Sequence, residues 1–183
     1  DEAMRRQMMY KTTEGRNILE IEDGETHHND SCPMHSDLSE IKGRVPVREQ
    51  DPDKRNKNFY EVCYGYNLEE AQKEAQRCLN CKNPLCVKEC PVSIDIPAFI
   101  QEIKRGDILG AAKIITKYSN LPAVCGRVCP QETQCEGKCI LGIKGEPVSI
   151  GKLERFVGDW AIRNNTKVEV EEKREEKVAI IGG

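Results

Sequence analysis

The stretch Cys78-Leu-Asn-Cys81-Lys-Asn-Pro-Leu-Cys86-Val-Lys-Glu-Cys90-Pro91 decides how the rest of the chain is read. Its spacing is C-x2-C-x4-C-x3-C-P, four thiols on one short segment. A second set, Cys125-x3-Cys129-Pro130-x5-Cys135-x3-Cys139, follows downstream and again contains a Cys-Pro pair. Thiolates are soft donors that suit zinc and iron–sulfur groups. Repetition of the pattern argues for ligation over accident.

The first run is close to C-x2-C-x2-C-x3-C-P, in which three cysteines grip one iron–sulfur cluster and the fourth reaches to a second. A cubane needs four ligands, and the eight cysteines between Cys78 and Cys139 are enough for two. Counting places Cys78, Cys81 and Cys86 with one remote thiol, and Cys90 with three of the second set. Spacing alone does not choose which remote thiol closes which cluster. Structural zinc favours Cys-x2-Cys pairs, and only Cys78 and Cys81 have that spacing. Cys63 reads as a small buried hydrophobe and Cys32 as a linker thiol.

Composition narrows the setting. Charged residues make up 32% of the 183 positions and aromatics only 5%, so the apolar core is modest and bound cofactors would help to fill it. The net charge is −3 and basic residues are interspersed with acids, which excludes an electrostatic nucleic-acid footprint. No apolar run approaches a membrane span, and the start, Asp1-Glu-Ala-Met-Arg-Arg, lacks the hydrophobic core of a signal peptide. The expected location is cytoplasmic. In a reducing compartment ten cysteines indicate metal or redox chemistry before disulfides.

Residues 1–16 read as a short charged helix and 17–43 as a polar linker. His27, His28, Cys32 and His35 fall in that linker with no defensible zinc spacing. Arg44-Val-Pro46 to Asp51-Pro52 is extended or turn-like. Asn67 with Glu70 forms a capping-box signature, opening a helix from Leu68 towards Cys78. Asp95 caps a helix with Pro97 in its first turn, Ile96, Phe99, Ile100 and Ile103 on one face, and an end at Gly106. Asp107 restarts a helix through Leu109, Ala112 and Ile115. The second cysteine set is expected in loops punctuated by Gly126, Pro130 and Gly137. Ser149 is expected to cap a last helix through Ile150, Leu153, Phe156, Val157 and Trp160. A charged strip, Glu169 to Lys177, leads to Val178-Ala-Ile-Ile-Gly182-Gly183, which reads as a Rossmann strand entering its phosphate-binding turn.

Ordered motifs over most of the chain carry a family resemblance. They are Arg44-Val-Pro46, Glu49-x-Asp51-Pro52, Phe59-x-Glu61-Val62, Gly65-Tyr66, Cys78 to Pro91, Cys125-Gly126-x-x-Cys129-Pro130, Cys135-x3-Cys139 and Gly151-Lys-Leu-Glu154. From Arg44 to Gly183 the chain resembles the N-terminal cluster domain shared by three oxidoreductases. These are the glutamate synthase small (beta) subunit, dihydropyrimidine dehydrogenase and the flavin subunit of NADH-dependent reduced ferredoxin:NADP oxidoreductase. Asp1 to Tyr10 is similar to the C-terminal tail of the ferredoxin-NADP reductase-like subunit of the last of these.

The resemblance implies a mostly α fold, a small helical double [4Fe–4S] domain over 44–167. A linker and the first β-strand of a truncated Rossmann FAD/NAD(P)-binding domain then occupy 168–183, with Gly182 and Gly183 starting an incomplete FAD fingerprint. It implies that Cys78, Cys81, Cys86 and Cys139 hold one cluster, and Cys90, Cys129, Cys135 and Glu154 the other. Cys125 is the alternative to Glu154, which as a bare residue reads as a helix-surface acid. The implied function is electron transfer through two [4Fe–4S] clusters between a flavin and a partner redox centre, in a segment not catalytically complete alone. FAD and NAD(P) belong to the full-length protein. The implied partners are a flavin domain of the same chain and either a glutamate synthase large subunit or a ferredoxin-NADP reductase-like subunit or domain. The alternative is a docking module in which clusters or zinc act as structural staples.

Overall fold

The computed structural model describes residues 43–167, 177–179 and 181. The possible tail 1–16, nearly all of the linker 17–43, the strip 169–176, and Gly182 and Gly183 lie outside the described residues. Lys177 to Ala179 carry no regular secondary structure, and the rest of the expected Rossmann strand falls outside, apart from Ile181 in a turn.

The extended entry Arg44 to Gln50 contains strand β1 (Arg48–Glu49), which pairs antiparallel with β2 (Cys63–Gly65) across an irregular register, Arg48 facing Gly65 and Glu49 facing Cys63. Between them lies the single-turn helix α1 (Pro52–Arg55), capped by the Asp51 carboxylate. Two strands this short make no independent core. The Tyr66 hydroxyl donates to the Val45 carbonyl at 2.8 Å, closing the strand pair on itself, and Arg155 from the last helix donates from Nη2 to the Cys63 carbonyl at 2.7 Å, holding β2 to the helices.

Helix α2 (Leu68–Gln76) begins at the expected capping box, Asn67 accepting from Glu70 N–H and Glu70 accepting in return. It stops at Arg77, one residue before Cys78. The short α3 (Leu85–Lys88) carries Cys86. Helix α4 (Ile96–Arg105) opens at Asp95 and ends at Gly106, whose φ of 81° is the left-handed conformation that glycine adopts without steric cost. Helix α5 (Ile108–Thr116) restarts at once from Asp107. Phe99, Ile100 and Ile103 of α4 meet Ile115 of α5, Ala71 and Ala75 of α2 and Leu153 of the last helix in one buried cluster. The apolar stripes are therefore core, as their spacing predicts.

Helix α6 (Pro122–Val128) starts with proline at its first position and packs along α7 (Ile150–Arg163). This corrects the expectation of loops throughout the second cysteine set: Cys125 and Gly126 are helical, and only Cys129 to Cys139 run through 3₁₀ turns. Gly126 and Gly158 are where the two helices touch. A β-carbon at Gly158 would lie 2.4 Å from Ala123 N, and one at Gly126 would lie 2.6 Å from the backbone of Arg155. Ser149 precedes α7 but its side chain makes no cap. The Glu136 carboxylate serves instead, accepting from Gly151 N–H at 3.0 Å.

Candidate metal centre

Cys78 leaves α2 on a turn held by a buried ion pair. Glu74 has no accessible surface. Its carboxylate accepts from Arg77 Nη1 at 2.6 Å, Val45 N–H at 2.7 Å and Ser149 N–H at 2.8 Å. Arg77 also donates to the Pro147 and Glu146 carbonyls. Both carboxylate oxygens of Glu74 and both terminal nitrogens of Arg77 therefore have partners, the condition under which buried charges are tolerated. The result fixes the residue before Cys78 against the loop that leads into α7. Between Cys78 and Cys81 the backbone passes through Asn80 at φ 50°, a left-handed conformation that asparagine tolerates, and the Asn80 N–H turns to the Cys78 sulfur.

Cys78, Cys81, Cys86 and Cys139 line one cavity of about 100 Å³, walled by Pro97, Ile100 and Ile150. Burial pushes the Cys78 thiol up and takes Cys86 to about 11, and the anions of Cys139, Cys78 and Cys81 add to the shift at Cys86. Thiols that burial and one another's charge keep from ionising in an apolar enclosure are an arrangement that a bound cation, which stabilises the thiolate form, relieves.

Cys90, Cys129, Cys135 and Glu154 form a second group. Cys90 ends the turn after α3, Cys129 caps the C-terminus of α6, Cys135 opens a 3₁₀ turn, and Glu154 lies on α7. Burial raises Cys135 to about 12, with Glu136, Cys90 and Glu154 contributing. Burial raises Cys129 to about 11, with Cys125, Glu154 and Cys90 contributing. Glu154 is 8% exposed, not a surface acid. Burial takes its carboxyl to about 7, and its Oε1 has no hydrogen-bond partner. A buried, unsatisfied carboxyl oxygen among thiols is costly unless something binds it.

Cys125 sits beside Cys129 one turn earlier on α6, and its sulfur lies 3.8 Å from the Ser119 hydroxyl. Cys63 is half-buried in β2, and its carbonyl accepts from Arg155 Nη2 at 2.7 Å. Among the described residues no three His, Cys, Asp or Glu side chains close on a point suited to a single metal ion; the first set rings a cavity instead. Sequence reasoning missed the supports of these candidate ligands: Glu74, Arg77, Glu136 and Arg155 are all buried and charged. The one available signal was their position, since Arg77, Glu136 and Arg155 each adjoin a residue of the two groups.

Residues 55–166 match the family described as dihydropyrimidine dehydrogenase domain II, 4Fe-4S cluster. The chain belongs to this family of [4Fe–4S] domains. It is 39% identical over 145 residues to the glutamate synthase [NADPH] small chain of Halomonas elongata, covering 75% of this chain and 31% of that protein. The corresponding small chain of Escherichia coli is 36% identical over 145 residues, with coverage of 75% and 31%. The NAD-dependent dihydropyrimidine dehydrogenase subunit PreT of Escherichia coli is 41% identical over 115 residues, 61% of this chain and 27% of that protein. The chain thus spans about a quarter to a third of the length of the relatives it matches. Among the described residues no helix is long and apolar enough to cross a membrane.

Proposed function

We propose that this segment is an electron-transfer module with two [4Fe–4S] clusters, one held by Cys78, Cys81, Cys86 and Cys139 and the other by Cys90, Cys129, Cys135 and Glu154. The observation that carries the reading is Glu154, a buried carboxyl with one oxygen unpartnered beside three thiols. The cavity ringed by the first four cysteines supports the other half. Bound clusters of this type supply reversible one-electron storage at low potential. The chain's own residues supply the rest. Glu74, Arg77 and Glu136 fix the ligand-bearing turns, Ile100 and Ile150 keep water from the first set, and Asn80 N–H steadies the Cys78 sulfur.

Its relatives include an NADPH-linked glutamate synthase small chain and a subunit of an NAD-dependent dihydropyrimidine dehydrogenase; on this reading the electrons pass between a flavin served by NAD(P)H and a partner subunit of either type. The Rossmann strand at 178–183 and a cytoplasmic location are part of the same proposal. Leu79, Leu85 and Ile140 are exposed around the first set and suit the approach of another redox domain.

Iron and acid-labile sulfide analysis of anaerobically purified protein tests the reading. About eight of each per chain is the expectation for two cubanes, and zinc with negligible sulfide overturns it. Glu154→Ala and Cys125→Ala separate the two candidate ligands: the first should cost one cluster, whereas cluster loss only in the second overturns the assignment.

A further inference from the structure

We propose that Lys104 sets the redox poise of the first thiol set: its ammonium, held against the backbone of Cys78, raises the reduction potential of that cluster above that of the Cys90 set. The inference rests on the two-cluster reading above. Lys104 Nζ donates to the Cys78 carbonyl at 2.8 Å across 26 residues of sequence, in a half-buried setting. It stands four residues after Ile100 and seven after Pro97, so it shares the face of α4 that walls the first cavity. Among the described residues no carboxylate lies within ion-pair distance of it. The nearby Glu102 is engaged by Arg105. The charge of Lys104 is therefore directed at the ligand loop, where it opposes the effect of burial on the Cys78 thiol.

Reduction of a cubane adds one electron and one unit of negative charge, with no bond made or broken. A fixed cation nearby favours the reduced state, and partial burial limits its screening by salt. Lys104 transfers no proton; it offsets the added charge. In the second set Glu154 stands in the ligand place that a fourth thiolate fills in the first, so the ligand charges are equal and Lys104 is the difference between the sets on which the proposal turns. Electrons entering one at a time from the flavin side would rest on the first set.

Potentiometric titration of the full chain with dithionite and mediators, followed by electron paramagnetic resonance, tests this on wild type, Lys104→Gln and Lys104→Arg. In Lys104→Gln one wave should move to lower potential, its reduced-to-oxidised ratio at fixed poise falling about tenfold, or about 59 mV for a one-electron couple. Lys104→Arg, which keeps the charge, should stay near wild type. The wave that moves should be the one missing in Cys86→Ala and present in Cys129→Ala. An unmoved wave, equal movement of both waves, or equal shifts in the two lysine variants overturns the proposal. Loss of iron in Lys104→Gln also overturns it, since the lysine would then be a structural tie. A wild-type chain without iron and sulfide instead defeats the cluster reading itself.

Discussion

The two thiol groups rest on different kinds of support. The first is set by charge: the Glu74–Arg77 pair and Lys104 fix the end of α2 from two sides, and the cavity wall is aliphatic. The second is set by close backbone contact, with α6 and α7 meeting at Gly126 and Gly158 so that Cys129 and Glu154 come from touching helices. Buried ion pairs are sensitive to loss of one partner, whereas close helix contacts are sensitive to added volume. The same chain thus exposes its two sites to different failures, and variants can address them separately.

The largest effect is expected at Glu74. Glu74→Ala leaves Arg77 buried without its counter-ion and the Val45 and Ser149 N–H groups without their acceptor. Removing one partner of such a pair costs about 3–5 kcal/mol. Chemical unfolding should show that loss, and iron should leave the first set before the second. Equal loss from both sets would mean that the pair supports the whole core and not one site.

Glu154 provides a contrast in pH dependence. In the iron-free chain its carboxyl titrates near 7, raised by burial from 4.5. Below pH 4.5 the group is protonated in folded and unfolded chains alike, and its environment carries no penalty. As pH rises through the folded value, the unfolded chain has already ionised, so stability falls by about 3 kcal/mol and then levels. Unfolding midpoints of iron-free protein between pH 4.5 and 8 should show this decline, and Glu154→Gln should flatten it. The first set has no such carboxyl; its Cys78 and Cys86 thiols, pushed up by burial, affect stability only in alkali.

Much of the scaffold is legible in the sequence because its signals are local. The Asn67–Glu70 box, Asp95 with Pro97, the Gly106 stop and the Asp107 restart act within one helical turn, and all four appear where the residues put them. The gathering of Cys139 with Cys78, Cys81 and Cys86 was available only through family likeness, since no spacing rule joins residues that far apart. Least legible were contacts set by tertiary packing. Glu136 displaces Ser149 as the cap of α7 because it arrives from a distant 3₁₀ turn. Glu154 reads as a surface acid because its polarity hides that α7 turns this residue inward against the cysteine turns. Gly126 looks like loop punctuation but is the small residue that lets one helix approach another.

That last contact yields a smaller, site-selective effect. Gly158→Ala places a methyl 2.4 Å from the backbone nitrogen of Ala123, which cannot rotate away as a side chain could. Overpacking of this kind costs about 1–3 kcal/mol. Because α6 and α7 must separate, the spectroscopic signature of the cluster proposed at the second set should broaden or vanish while that of the one proposed at the first remains. A uniform change in both would erase the proposed division between a charge-set and a contact-set site.

The smallest effect belongs to the surface network that clamps the outer side of the second site. Arg127 forks onto Glu61 with Nε and Nη2 at 2.8 and 3.0 Å and onto Asp159 with Nη1 and Nη2 at 2.8 and 3.0 Å, tying the β2 side of the fold to both α6 and α7. These contacts outweigh burial and hold the Glu61 carboxyl below its ordinary value. The group is partly exposed, so Arg127→Ala should cost only about 0.5–1 kcal/mol, and the difference should shrink in 1 M salt, where the Debye length is about 3 Å. Arg127→Lys keeps the charge but loses the fork and should recover only part of the loss. Iron content should stay at the wild-type level in both, because Gly126 and Gly158 keep the helices in register without the clamp. Loss of the second cluster on removing Arg127 would show instead that charge sets both sites, and the contrast between them would fail.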